Sequence, residues 1–181
     1  KAEGMKLVVV DPRRTETAGF ADIHLQIRPG EDPTLLAGMI RIVLEEGLQD
    51  HEFCGRWVSQ LGELTEAVDG FTLDYVAERC QLDADDIVAA TRLFAAGPRG
   101  TAGTGTGPNM AAHSSLTEHL TVVLNTILGR VNREGDLIEN GLLLYPEMPH
   151  RAQATAPRAP ASGPPSRLRN LRGYRGEMPT A

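Results

Sequence analysis

One candidate for ligand chemistry is a carboxylate that directly follows an apolar run. Residues 6–11 read KLVVVD, a run of apolar residues that ends at Asp11. Such runs are typical of a strand buried on both faces of a parallel sheet, and ligands of α/β proteins bind where the carboxyl ends of strands meet the loops. A carboxylate there can accept hydrogen bonds from both hydroxyls of a ribose. Asp before Pro is also a common turn residue, so the residues alone leave turn and ligand equally open.

Residues 28–33, RPGEDP, form a second candidate. Pro29 and Gly30 let the backbone approach a ligand closely. The carboxylate of Asp32 can accept hydrogen bonds from both the ring N–H and the exocyclic amino group of a guanine. The competing interpretation is structural, because Asp32 before Pro33 is a typical helix start with Asp32 as the N-cap. From this stretch alone the N-cap is favoured.

The third candidate is the glycine-rich stretch GTAGTGTGPN at 100–109, in which Gly103, Gly105 and Gly107 alternate with small residues. This composition suits a passage where a flat ligand lies on bare backbone. It does not match the dinucleotide fingerprint, which requires a hydrophobic strand before the glycines and a helix that opens at them. Here the next predicted helix begins only near Ser115.

The remaining reactive residues carry no recognisable motif. Cys54 and Cys80 lack the spacing of a zinc site or a disulfide framework, and we expect two buried thiols. No histidine forms a catalytic pattern with Ser, Cys or Asp, so we predict neither catalytic nor metal-binding residues. The net charge of −6 argues against nucleic-acid binding. No apolar run is long enough to span a membrane.

These candidates need elements that position them, and the pattern predicts an α/β fold with a parallel-sheet layer and flanking helices. A second strand is expected at 23–28, where apolar and polar residues alternate. Helices are predicted over 33–47, after Asp50, after Thr72, near Asp83, and from Ser115, with Glu118 completing a capping box. Residues 1–145 are predicted to form the folded part. Residues 146–181 are rich in Pro, Ala and Arg and are predicted to form an extended or poorly ordered arm.

Three blocks in register resemble a known family, with the glycine-rich stretch between the second and the third. They are VVVDPRRTETA at 8–18, DIHLQIRPGEDPTLL at 22–36 and LNTILGRVNREGD at 124–136. Together they resemble the molybdopterin oxidoreductases of the dimethyl-sulfoxide-reductase type, which include formate dehydrogenases and nitrate reductases. The resemblance covers roughly residues 6–136. It implies part of a Rossmann-like domain, with an incomplete parallel-sheet layer, that holds one guanosine end of the molybdenum bis(molybdopterin guanine dinucleotide) cofactor.

The resemblance also implies roles for the candidate residues. Those around the first carboxylate would line the ribose and phosphate region: Asp11, Pro12, Arg13 and Thr15. Gly30 and Asp32, at the start of the helix predicted over 33–47, would face the guanine, and Pro29 beside them is a further cofactor contact. Those after the glycines would approach the pterin side: Gly107, Pro108 and Asn109.

The sequence therefore predicts an interior, cofactor-holding fragment of a cytoplasmic molybdenum oxidoreductase that is inactive, and without cofactor, when isolated. Expected partners are the remaining domains of the enzyme, an electron-transfer subunit, and a second copy bound through an exposed sheet edge. An iron–sulfur cluster would belong elsewhere in the intact chain. The alternatives are a self-contained Rossmann-like nucleotide-binding protein, which would lack the glycine fingerprint, and a non-enzymatic interaction module with the Pro/Arg-rich tail as its contact arm.

Overall fold

A computed structural model describes residues 4–138 together with His150 and Arg151. The chain divides into two compact units, residues 1–131 and 132–181. The elements of the first unit are, in order, β1 (Val8–Val10), α1 (Glu16–Gly19), β2 (Ile23–Leu25), α2 (Asp32–Glu45), α3 (His51–Trp57), α4 (Leu61–Val68), α5 (Leu73–Cys80), α6 (Ala84–Ala96), α7 (Thr106–Met110) and α8 (Ser114–Ile127).

The second unit contains an antiparallel strand pair in its described part. β3 (Leu137–Ile138) pairs with β4 (His150–Arg151), with Leu137 opposite Arg151. The predicted arm at 146–181 lies outside the described residues except for His150 and Arg151. Its extended or poorly ordered character stays a prediction. The predicted domain boundary at 145–146 also stays a prediction. The boundary between the two compact units lies at 131–132.

Both predicted strands of the first unit form, and they pair in parallel as expected. Val8 lies opposite Ile23 and Val10 opposite Leu25. Within the described residues this sheet has two strands, so a full Rossmann-like layer is not observed there. The expectation that the first strand is buried on both faces was wrong, because Val10 is 39% exposed. Helices, rather than a wide sheet, make most of the first unit.

Helix α2 is the centre of the packing. It contacts α8, α5, α6 and α4, which explains why apolar residues occupy most of its circumference instead of one narrow stripe. Its buried residues are Leu35, Ala37, Gly38, Met39, Ile40, Ile42 and Val43. The core continues into the facing helices through Val76, Cys80, Ile87, Ala90, Leu124 and Ile127.

One close helix contact in this core is made at a glycine. A Cβ atom added to Gly38 of α2 would lie 2.7 Å from Cγ2 of Val76 on α5. Only a residue without a side chain lets the two helices approach to this distance. Helix α5 is therefore fixed against α2 near its middle.

The observed helix starts agree with the predicted ones at three helices that are capped by a side chain. Asp50, Thr72 and Asp83 each accept a hydrogen bond from a backbone N–H in the first turn of α3, α5 and α6, as predicted. Two predicted caps were wrong. The N-cap of α2 is Glu31, with Asp32 as the first helical residue, and α8 begins after His113 without a side-chain cap. Glu118 bonds instead to the hydroxyl of Thr104.

Candidate functional site

A cleft of about 1760 Å³ lies beside the sheet of the first unit. Its walls come from residues 4–8 and the loop that follows β1, from the segment between β2 and the first turns of α2, and from the end of α6 through to α8. It brings together eight of the ten candidate residues, Asp11, Pro12, Arg13, Pro29, Gly30, Asp32, Gly107 and Pro108. Thr15 and Asn109 are not among the residues that line it. Thr15 caps α1 by accepting a hydrogen bond from the N–H of Ala18, and Asn109 lies within α7.

Asp11 forms a turn and also lines the cleft. Its Oδ1 accepts a hydrogen bond of 2.7 Å from the N–H of Arg13, so the turn interpretation is correct for one carboxylate oxygen. Two polar side chains of the second strand region hold this loop. A ring nitrogen of His24 lies 2.9 Å from the carbonyl oxygen of Asp11, and Gln26 donates to the carbonyl of Pro12 at 3.1 Å.

Asp32 lines the cleft at the first turn of α2. The chain enters this turn through Gly30, whose φ of +89° is in the region that favours glycine. Burial raises the pKa of the Asp32 carboxyl, and its own backbone N–H opposes that shift. A desolvated carboxylate is a strong acceptor for a ligand that offers donors. Since Glu31 is the N-cap, the side chain of Asp32 does not cap α2, and its own backbone N–H is the group at the helix start that acts on this carboxylate.

The glycine-rich stretch at 100–109 forms one wall of the cleft, the glycine-rich wall, and this wall is open toward the cleft. A Cβ atom added at Gly103, Gly105 or Gly107 would meet no atom of the described chain within 4 Å. Packing within the described chain therefore does not require glycine at these positions. Part of this stretch forms the short helix α7, whereas the sequence predicted no helix before Ser115.

Side chains of α8 and the residues after it hold this wall, and the sequence analysis did not identify them. The carboxamide of Asn125 accepts from the N–H of Ala102 at 2.8 Å and donates to the carbonyl of Ala102 at 2.9 Å. The carboxylate of Glu118 accepts from the hydroxyl of Thr104. The guanidinium of Arg130 donates to backbone carbonyls at the end of α6, those of Phe94, Ala95 and Gly97.

The sequence contains one signal for these hydrogen bonds, which we call the tethers of the glycine-rich wall. Asn125 follows Leu124 within the apolar pattern of α8, and a buried carboxamide must find hydrogen-bond partners. Its side chain is indeed buried, at 9% exposure. The identity of the partner was not predictable, because Ala102 contributes only its backbone.

The charged side chains in the cleft lining are mixed. Lys6, Arg13 and Arg99 are cationic, and Asp11 and Asp32 are anionic. Lys6 also lies 3.5 Å from the carboxylate of Asp22. Cationic groups suit phosphate oxygens, and carboxylates suit hydroxyl and N–H donors. The lining thus offers both types of group that a nucleotide diphosphate needs.

The two thiols are buried, as predicted: Cys54 is 3% and Cys80 0% exposed. Burial raises the pKa of Cys54, and burial together with Glu31 and Asp32 raises the pKa of Cys80 to about 12. Within residues 4–138, no group of three or more His, Cys, Asp or Glu side chains is arranged to hold a metal ion. No helix in the described part of the chain has the length and apolar character needed to cross a membrane.

Comparison with known proteins gives several relatives, although no family model matches the chain. The chain is 30% identical over 135 residues to the F420-dependent formate dehydrogenase subunit alpha of Methanocaldococcus jannaschii, an alignment that covers 75% of this chain. It is 32% identical over 138 residues, 76% of its length, to the molybdopterin-containing subunit of thiosulfate reductase from Salmonella typhimurium. This chain is homologous to the molybdopterin oxidoreductases. The resemblance in its three blocks is confirmed.

A solved structure extends this result to the fold. Acetylene hydratase from Pelobacter acetylenicus matches with a TM-score of 0.69 and 34% sequence identity over 75% of this chain. The match covers only 20% of the acetylene hydratase chain, and the two molybdopterin oxidoreductase relatives are covered to 20% and 18%. The chain thus corresponds to about one fifth of enzymes that are several times longer.

Proposed function

We propose that this chain holds a guanosine end of molybdopterin guanine dinucleotide within a molybdenum-dependent oxidoreductase of the formate dehydrogenase or nitrate reductase kind. The observation that carries the proposal is the cleft. It gathers eight of ten residues that the sequence resemblance assigned to cofactor contacts, although these residues come from separate parts of the chain. When bound, the molybdenum cofactor supplies the two-electron or oxygen-atom chemistry, and this chain contributes binding and orientation.

The chemistry of the lining supports a guanine nucleotide. Asp32 offers two carboxylate oxygens to the ring N–H and the amino group of guanine. Adenine has an acceptor at the ring nitrogen where guanine has a donor, so the same carboxylate would face repulsion. Asp11 has one oxygen in its turn, and among the described residues no group bonds to the other, which is left for a ribose hydroxyl.

The phosphates and the pterin are assigned to the other walls of the cleft. Arg13 and Arg99 offer cationic donors for the diphosphate, and both line the cleft. The open glycine wall gives a flat group access to bare backbone. In the proposal Gly107 and Pro108 approach the pterin. Other domains of the same enzyme complete the site, and an electron-transfer subunit is the expected partner.

Substitutions of Asp32 in the full-length protein test this assignment. Asp32→Asn and Asp32→Ala both remove the charged acceptor, and loss of a hydrogen bond to a charged group should accelerate cofactor loss by about tenfold or more. Neither change should unfold the domain, because the side chain of Asp32 does not cap α2. The measurements are the rate of guanine nucleotide release during dialysis and the thermal midpoint.

Asp50→Ala is the matched control, because Asp50 is an aspartate that does cap a helix. Its Oδ1 accepts from the N–H of Phe53 at 2.8 Å, and losing such a cap costs about 0.5–2 kcal/mol. We expect this variant to lose stability and to retain the cofactor. Wild-type cofactor retention in Asp32→Asn would show that the guanine assignment is wrong.

A further inference from the structure

The loop that carries Asp32 is attached to the C-terminal end of α5. The carbonyl of Cys80, at the last residue of that helix, accepts from the N–H of Arg28 at 2.9 Å. The thiol of Cys80 lies 3.8 Å from the carbonyl oxygen of Glu31. The guanidinium of Arg79 donates to the carboxylate of Glu31 at 2.7 Å. Because α5 is fixed against α2 at Gly38, it provides a rigid support for this loop.

Two adjacent carboxylates in this loop have different environments. Asp32 lines the cleft, whereas Glu31 does not. The side chain of Glu31 is only 12% exposed, and it is bonded to Arg79 and to the hydroxyl of Thr34. A carboxylate that is this buried is costly unless a cation compensates its charge. Without Arg79, Glu31 would keep the hydroxyl of Thr34 but lose its cation, so its charge would favour movement of the loop toward water.

We propose that Arg79 is a positioning residue for nucleotide binding, which acts on Asp32 through the charge of Glu31. This inference rests on the proposed role of Asp32. The ion pair keeps Glu31 turned toward α5, so that Asp32 is the carboxylate presented by this loop to the ligand. Arg79 itself does not line the cleft, and no contact between Arg79 and the nucleotide is required.

A second ion pair on α2 provides a matched control. Arg92 of α6 forms two hydrogen bonds of 2.8 Å to the carboxylate of Glu46, at the other end of α2. Arg79→Gln and Arg92→Gln therefore each remove one Arg–Glu pair that links α2 to a neighbouring helix. Only the first pair includes a residue, Glu31, that has cleft-lining residues on both sides of it in the chain.

The experiment measures the rate of guanine nucleotide loss from the full-length protein during dialysis, together with the thermal midpoint. We expect Arg79→Gln to accelerate the loss by about tenfold, comparable with the loss of one charged hydrogen bond. Arg79→Lys should remain close to the wild-type rate because it keeps the charge. Arg92→Gln should also remain close to the wild-type rate, whatever its thermal midpoint.

The double variant Glu31→Gln with Arg79→Gln separates charge compensation from general structural damage. It removes both charges and keeps the backbone bond between Arg28 and Cys80, so retention should recover toward the wild-type rate. The inference is overturned by an unchanged rate in Arg79→Gln, by no recovery in the double variant, or by equal acceleration in Arg92→Gln. If Asp32→Asn accelerates the loss and the Arg79 variants do not, only this inference fails. If Asp32→Asn has no effect, the proposed function and this inference both fail.

Discussion

At the scale of single residues, the two carboxylates of the cleft differ in how far local structure uses them. The sequence left a turn and a ligand as equal alternatives for Asp11, and the structure uses one of its oxygens in a turn. For Asp32 the sequence favoured a cap, but the cap is Glu31. The structure therefore argues against a capping role for Asp32 and supports a turn role for Asp11.

The tether between Asn125 and the glycine-rich wall gives a prediction at this scale. Asn125→Ala leaves the N–H and the carbonyl of Ala102 without their partner. An unsatisfied polar group that is partly buried costs about 1–3 kcal/mol, so we expect a loss of stability in that range. Faster amide exchange of Ala102 should accompany it. Chemical denaturation and hydrogen exchange measure the two effects.

Thr126→Ala is the control for this substitution. Thr126 is the next residue of α8, and its hydroxyl bonds within the helix to the carbonyl of Val122 at 2.7 Å. Removing an exposed hydroxyl of this kind should change stability by less than about 0.5 kcal/mol. Equal effects of the two substitutions would mean that the tether to Ala102 does not stabilise the wall.

At the scale of elements, the sequence predicted helices best where their start is encoded by a side chain. The helices capped by Asp50, Thr72 and Asp83 begin where expected. Helix α4 was missed, and it begins after Gln60, which is left-handed and makes no capping bond. Helix α8 begins in the same way after His113. The start of α8 was still predicted to within one residue, at Ser115, but from a capping box that does not form. The start of α4 left no local capping signal.

The close contact between α2 and α5 gives a prediction about elements. Gly38→Ala adds a methyl group that would lie 2.7 Å from a methyl carbon of Val76. The helices must then separate or Val76 must move, which costs about 1–3 kcal/mol in a packed core. We expect destabilisation in urea unfolding, even though alanine favours a helix more than glycine does.

Gly55→Ala provides the opposite case. Gly55 lies in α3, and an added Cβ would meet nothing within 4 Å. Helix propensity then dominates, and the substitution should raise stability by about 0.5–1 kcal/mol. A Gly38→Ala variant as stable as Gly55→Ala would show that the contact at Val76 relaxes freely.

At the scale of the whole molecule, the resemblance of three sequence blocks predicted the family correctly, whereas periodicity alone left the width of the sheet open. An apolar run at 8–10 looks the same in a wide sheet and in a two-stranded one. The difference lies in which strands are available to pair, and the run itself does not encode that. The tethers from α8 were also hidden, because they join residues that are up to 36 positions apart and mostly use backbone partners.

The small sheet leads to a prediction about association. Among the described residues, β1 pairs with β2 and has no strand on its other side. Val10 is 39% exposed and Met5 is 57% exposed, so apolar side chains lie close to this edge. Unpaired N–H and carbonyl groups beside exposed apolar residues favour pairing with another chain. We therefore expect the 181-residue chain to dimerise reversibly, with a sedimentation coefficient that rises with concentration.

Val10→Lys tests whether the sheet edge is the contact, because a lysine at an edge strand opposes pairing by charge repulsion and by the cost of desolvating its ammonium group. This variant should sediment as a monomer over the same concentrations. Trp57→Lys is the control, since Trp57 is also exposed, at 65%, but belongs to α3 and not to the sheet. It should dimerise like the wild type. A wild-type chain that stays monomeric at every concentration would contradict the prediction, and dimerisation lost only in Trp57→Lys would move the contact to α3.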